Sequence, residues 1–303
     1  MNNSKLYFYI APYLIWMSLF FVIPTLLVII ISFIDQSSWD TIITVIRNFH
    51  PNIKTDGLFV ALQKVGEQVV LTFTFDAYRE LLEPRVTVTI FRTFVISLIS
   101  AIVCMGLSIP TAHYISRSSQ KNTWLMLLIL PFWTNFLIRI FIWIKILGNN
   151  GMLNNFLQHL YIISKPLPLL YNNFAVTLLS IYICLPFAII PIFSAIEKFD
   201  FSLWEVSDDL GAKPWQSFFY VYLPSIKNGV ISAFIFAFIN TFGNYAVAKL
   251  VGGQSSYVLG SLVVHNATVG RNMPLAAAIS TVICSIALLL MLCNYPKELK
   301  GNT

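Results

Sequence analysis

Four basic residues, Arg92, Arg139, Lys145 and Lys249, lie inside long apolar runs, and none of the 13 Asp and Glu residues joins them there. An ionisable group in hydrocarbon is costly and ordinarily faces a cavity or a partner. The same runs present aromatic faces at Trp133, Tyr182 and Tyr245 and amide oxygens at Asn135, Asn240 and Asn244. Two chemistries are open. Aromatic faces, worth roughly 0.5–2 kcal/mol per cation–π contact, would hold an ammonium group weakly and reversibly, with carboxylates supplied by another subunit. Alternatively, Arg139 and Lys249 face the path and the cargo is anionic or zwitterionic. Each group also has a plainer reading: the basic side chains snorkel or pair across helices, and the aromatics anchor at interfaces or fill the core.

Catalytic chemistry finds little support. No G-x-x-x-x-G-K-[ST] run occurs to cradle phosphates, and neither H-E-x-x-H nor G-x-S-x-G is present. His50, His113, His159 and His265 are scattered without metal-ligand spacing, and His113 and His159 read as surface or satisfied polar residues. Cys104, Cys184, Cys284 and Cys293 sit in apolar runs as small packing residues.

The most organised polar stretch is Ser202-Leu203-Trp204-Glu205-Val206-Ser207-Asp208-Asp209-Leu210-Gly211-Ala212-Lys213-Pro214-Trp215. Ser202 and Glu205 have capping-box spacing, which predicts a helix start. Leu203, Val206 and Leu210 form one apolar stripe, and Gly211 is placed to stop the helix in a left-handed conformation. Pro214 then opens a second helix running to Leu223-Pro224. A short amphipathic helix of this kind either docks in a groove on another protein or packs on its own domain.

The elements around these residues follow from composition. Of 303 residues, 57% are hydrophobic and 11% charged, against roughly 25% charged in a soluble domain. Mean hydropathy is +0.75, which excludes an ordinary soluble enzyme. Apolar runs at about 6–34, 86–114, 123–147, 173–193, 228–251 and 273–293 are each long enough for the about 20 residues that a span needs. The expectation is an all-α integral membrane protein with six transmembrane helices, forming a single domain over 1–303. The net charge of +6 reflects orientation rather than nucleic-acid binding, since no basic stripe is present. Lys5, Arg117, Lys121, Lys198, Lys213, Lys227, Lys297 and Lys300 fall on one side, while the two shorter opposite loops hold only Lys165 and Arg271. The basic side being cytosolic, both termini are expected in the cytosol. The first run is read as an uncleaved helix, because it is too long for a signal-peptide core. A long outer segment, about 35–85, contains an alternating stretch at Gln68–Phe75 that is either a strand or a connector, followed by a short helix over Phe75–Leu82. A second outer helix is expected over Gly151–Leu160.

Glu205, Val206, Ser207, Gly211, Val221, Leu223 and Pro224 resemble, at matching spacing, the EAA loop of ABC-importer permeases of type I, with Val206 and Ser207 replacing its two alanines. Pro131-Phe132-Trp133-Thr134-Asn135-Phe136-Leu137-Ile138-Arg139, Lys145, Gly151, Asn154, Leu157, Leu185-Pro186-Phe187 and Ile196-Glu197-Lys198 are similar to the B-type permease subunit of spermidine/putrescine importers. The resemblance covers about residues 6–295.

It implies a permease subunit in the bacterial inner (cytoplasmic) membrane, with no enzymatic activity or cofactor of its own. ATP and magnesium belong to partner nucleotide-binding subunits. A second, non-identical permease subunit and an extracytoplasmic binding protein complete the assembly, and a polyamine is the implied cargo. The loop at about 195–225 becomes the coupling element: Leu203, Trp204, Val206 and Leu210 fill a groove on the ATPase, Glu205 and Asp209 make charged contacts, and Gly211 sets the turn before Lys213. Trp133, Asn135, Arg139, Tyr182, Asn240, Asn244 and Tyr245 are the substrate-path candidates. A permease for another small solute is the alternative. An ATP-independent secondary transporter is disfavoured, because it needs an intramembrane carboxylate.

Overall fold

Long apolar runs satisfy their backbone in hydrocarbon by coiling into helices or closing into a barrel, and the regular elements among the described residues are helical. The computed structural model describes residues 3–45, 73–253 and 256–293. Five helical stretches are long and apolar enough to cross a membrane: Ile10–Ile31, Pro84–Arg117, Phe136–His159, Asn173–Glu197 and Met273–Leu292. A sixth arises if Pro214–Ser225 and Lys227–Phe242, bent by 73° at their junction, form one span.

Two of the six expected spans are interrupted. The third breaks after Lys121–Ile129 into a 3-10 turn at Leu130–Trp133, then resumes as Phe136–Leu147. Pro131 has no amide hydrogen to continue the ladder, and Thr134 is extended at φ −73°, ψ 152°. The fifth stops at Phe242 and restarts as Tyr245–Val251. Hydropathy is blind to such breaks because the residues on either side are equally apolar. By contrast, Pro110, Pro186 and Pro191 lie inside unbroken helices, and Pro24 follows a π-helical turn at Ser18–Val22.

The chain divides into two compact units. The first comprises, of the described residues, 3–45, 73–88 and 262–285. Within it, the Ser32 hydroxyl lies 2.8 Å from the Tyr78 hydroxyl, and the Phe33 ring packs 5.5 Å from Phe75 and 5.0 Å from Tyr78. The Asn272 amide donates to Glu80 Oε2 at 3.0 Å. The short outer helix spans Asp76–Glu80, inside the expected range, and a further helix over 36–45 was not anticipated. Of the alternating stretch, residues 68–72 lie outside the described residues, and Phe73 forms an isolated antiparallel bridge with Ile34.

The second unit comprises, of the described residues, 89–253, 256–261 and 286–293, and carries the loop at about 195–225. Its backbone is the pairing of Asn173–Glu197 with Lys227–Phe242. Gly229 permits this: a Cβ there would stand 2.6 Å from the Ala195 Cβ and 2.6 Å from the Pro191 carbonyl oxygen. A second packing centre joins Ile140 and Leu147 to Ala175, Val176, Leu179 and Ile183, and to Val247, Ala248 and Val251. The resumed halves of both broken spans therefore pack on the same face of the Asn173–Glu197 helix. The outer helix forms at Met152–His159 with Gly151 as its N-cap. Buried Asn154 staples the following loop by donating to the Gly148 and Leu167 carbonyls and accepting from the Leu167 amide, at 2.9–3.0 Å. A helix at Leu259–Thr268 lies where the sequence suggested only a connection.

Candidate functional site

The loop helix spans Ser202–Asp209. Its start is not the capping box that the spacing predicts: Asp200 Oδ1 accepts from the Ser202 amide at 3.0 Å, and no side chain of the helix closes the box. These contacts from Ser202 hold the fully exposed Asp200 carboxyl below its ordinary range. The helix ends as expected. Gly211 has φ +82°, the Ala212 amide donates to the Ser207 carbonyl at 3.1 Å and the Gly211 amide to the Asp208 carbonyl at 2.9 Å. This is the double closure of a Schellman motif. Pro214 opens the next helix, whose Ser217–Tyr222 turn is π-helical.

The helix divides by face. Leu203, Val206 and Leu210 are 49%, 52% and 83% exposed within the chain, and Glu205, Asp209 and Lys213 are exposed beside them. Trp204, expected on the groove-filling face, turns inward instead. Its ring centroid is 5.3 Å from Tyr222 and 6.5 Å from His113. Leu203, Val206 and Leu210 share a face at helical spacing, and a residue one position along from Leu203 projects about 100° away. Tyr222 is 1% exposed, and its hydroxyl lies 2.8 Å from His113 Nδ1 on Pro84–Arg117. His113 is thus a satisfied polar residue, as expected. A cavity of about 300 Å³ is lined by Ile109, Pro110, His113, Trp204, Phe218 and Tyr222.

Ser207, at the second alanine position of the EAA pattern, is buried. Its Oγ lies 2.8 Å from both the Trp204 carbonyl oxygen and Ser217 Oγ, and the Ser217 hydroxyl donates to Asp208 Oδ1 at 2.9 Å. An inward-facing serine is accommodated by a second serine ten positions later, a pairing that spacing did not suggest.

The expected path residues sit in different surroundings. Asn135 and Asn244 were expected to offer amide oxygens. Each instead caps the restarted half of a broken span: Asn135 Oδ1 accepts from the Leu137 amide at 2.8 Å and Asn244 Oδ1 from the Val247 amide at 3.2 Å. Tyr245 has the Lys249 ammonium 5.1 Å from its ring. Tyr182 is held between Phe132, at 5.8 Å, and Trp143, at 5.4 Å. Trp133, by contrast, is 79% exposed within the chain, and Asn240 is half-buried. The Arg139 guanidinium stacks 4.3 Å over the Phe132 ring. Beside the end of Phe136–Leu147, a cavity of about 560 Å³ is lined by Lys145, Asn149, Asn150, Gly151, Pro168 and Tyr171, among others. Among the described residues, no cluster of three His, Cys, Asp or Glu side chains could hold a metal ion.

A family model described as the binding-protein-dependent transport system inner membrane component matches residues 89–295. The chain belongs to that family. It is an inner-membrane permease component of an ABC importer of type I. The spermidine/putrescine transport system permease protein PotB of Haemophilus influenzae is 31% identical over 296 residues, covering 97% of this chain and 94% of that protein. PotB of Escherichia coli (strain K12) is 32% identical over 246 residues, covering 80% and 90%. The inner membrane ABC transporter permease protein YdcU of the same strain is 32% identical over 248 residues, covering 72% and 78%. In fold, the chain resembles a subunit of the bacterial alginate ABC transporter solved with an alginate pentasaccharide-bound periplasmic protein, with a TM-score of 0.67, 18% identity and coverage of 97% of this chain and 93% of that one. The matched region holds the whole loop at about 195–225 and both broken spans.

Proposed function

We propose that this permease imports polyamines, of the spermidine and putrescine class, delivered by an extracytoplasmic binding protein and driven by ATP hydrolysis on partner subunits. The observation that carries the cargo is the alignment with spermidine/putrescine permeases along nearly the whole chain. ATP and magnesium are used by those partners.

The exposed stripe of Leu203, Val206 and Leu210 is the surface offered to the ATPase, with Glu205 and Asp209 at its polar edge. Burying an aliphatic side chain of this size contributes about 1.5–3 kcal/mol, enough for three to anchor a docking helix. Trp204 faces the other way and joins the helix to the span through Tyr222 and His113. Movement of the docked helix would then reach Pro84–Arg117 through packed rings instead of a flexible linker. This arrangement requires the loop, and with it both termini, to be cytosolic. The basic bias of that side supports the orientation.

Exposed Trp133 and half-buried Asn240 remain as groups that can meet an ammonium cargo from this chain. The decisive experiment is ATPase activity of the reconstituted complex with its binding protein, titrated with spermidine, putrescine and an anionic control. Stimulation by a polyamine alone is expected. Stimulation by the anion alone would keep the permease and replace the cargo.

A further inference from the structure

The segment from Gly148 to Asn172, which joins Phe136–Leu147 to the next long helix, contains no Asp or Glu, whereas Lys165 lies within it and Lys145 just before it. Its two ends line the cavity of about 560 Å³, together with Lys145. The Lys145 side chain is exposed and makes no ion pair or hydrogen bond with the described residues. The walls are fixed before any ligand arrives. Buried Asn154 ties them together, its amide donating to the Gly148 and Leu167 carbonyls at 3.0 Å each. The Tyr171 amide, on the second wall, donates to the Val251 carbonyl at 2.9 Å. Tyr171 is 59% exposed and Tyr161, in the same segment, 95%, and both hold left-handed backbones, at φ 63° and 55°. Such a backbone persists only where the surroundings over-determine it. A rigid recess loses little entropy on binding, and exposed tyrosines commonly anchor protein partners.

The recess lies at the Asn173 end of Asn173–Glu197 and the loop helix beyond the other end, 25 residues or about 37 Å along the axis. With the loop helix facing the ATPase, the recess is on the opposite, extracytoplasmic face. We propose that it receives an acidic side chain of the extracytoplasmic binding protein, whose carboxylate pairs with Lys145. This rests on the reading that such a protein delivers the cargo. The recess does not suit a polyamine, because Lys145 repels it and no carboxylate lines the walls. A phospholipid phosphate is the rival anion. Transport in this family is binding-protein-dependent, so a protein surface must dock on this face, whereas nothing in the fold calls for a lipid there.

The test is ATPase stimulation of the whole reconstituted transporter as its binding protein is titrated. Lys145→Glu is expected to raise the half-saturating concentration about a hundredfold and Lys145→Met about tenfold, with full stimulation recovered at saturation. Asn149→Trp, which fills the recess and keeps the charge, should raise it as well; an unchanged value there would overturn the assignment to the recess. Reversing one acidic residue on the binding protein's docking face to Lys should rescue Lys145→Glu, and failure of every single reversal would count against the pairing. An unchanged half-saturating concentration in both Lys145 variants would overturn the proposal. If those variants also lose thermal stabilisation by phosphatidylglycerol, the recess holds a lipid phosphate instead. Lower maximal stimulation at an unchanged half-saturating concentration would overturn it too, by moving Lys145 from docking to coupling. A wild-type transporter that responds to no binding protein would overturn the delivery reading itself, and this site with it.

Discussion

At Gly211 the backbone sits at φ +82° with open space where a Cβ would stand, so a substitution there is opposed by conformation and not by packing. A side chain in the left-handed region costs about 1–2 kcal/mol. Gly211→Val is therefore expected to leave the membrane helices assembled while loosening the turn that aims the loop helix. The measurable outcome is ATP hydrolysis that persists with polyamine uptake per ATP reduced. Normal coupling in that variant would count against the docking role. Ser217→Ala acts differently, by removing the hydroxyl that joins Ser207 to Asp208. Ser207 keeps its contact with the Trp204 carbonyl and Asp208 is exposed, so the cost is that of the lost hydrogen bonds, about 0.5–1.5 kcal/mol. Faster amide exchange confined to 202–217 is the expected result, and unchanged exchange would show that the serine pair contributes little. Asp200 has the opposite pH signature to a raised group: its carboxyl is depressed by Ser202, so its capping contribution is present above the unfolded-state value and disappears as pH falls through the folded one.

Among elements, the contact between Asn173–Glu197 and Lys227–Phe242 has the least slack. A side chain at Gly229 meets the Pro191 carbonyl and Ala195 at 2.6 Å, both fixed by the helix that carries them. Gly229→Leu should force the pair apart and destabilise the protein by at least about 1–3 kcal/mol, read as a lower midpoint of thermal unfolding in detergent. The loop helix makes the contrasting case. Leu203, Val206 and Leu210 are largely exposed, so replacing all three by Ser should leave that midpoint unchanged and abolish co-purification of the ATPase. If the ATPase still co-purifies, the stripe is not its docking surface.

For the molecule as a whole, the proposed orientation has a direct test. A cysteine at Asn149, in the exposed turn after Phe136–Leu147, should react with a membrane-impermeant maleimide in intact cells. One at Gln120, in the turn after Pro84–Arg117, should react only after the membrane is opened. The reverse pattern would invert the protein and remove the loop helix from the cytosol.

The sequence by itself determined the class and most of the element order, because the length and apolarity of a span, the glycine stop at Gly211 and the proline start at Pro214 are local properties. The loop's likeness to importer permeases was equally legible, since it depends on spacing along one chain. What only the tertiary structure decided is which way side chains point and what they are already bound to. Trp204 lies one residue from exposed Leu203, and nothing in the periodicity reveals that Tyr222 and His113 wait behind it. Asn135 and Asn244 carried a readable signal, an Asn ahead of an apolar run. Inside a stretch that looked like uninterrupted helix, that signal meant nothing until the break itself was visible. Burial, breaks and partners arise from contacts between residues far apart in sequence, and such contacts exist only once the helices have packed.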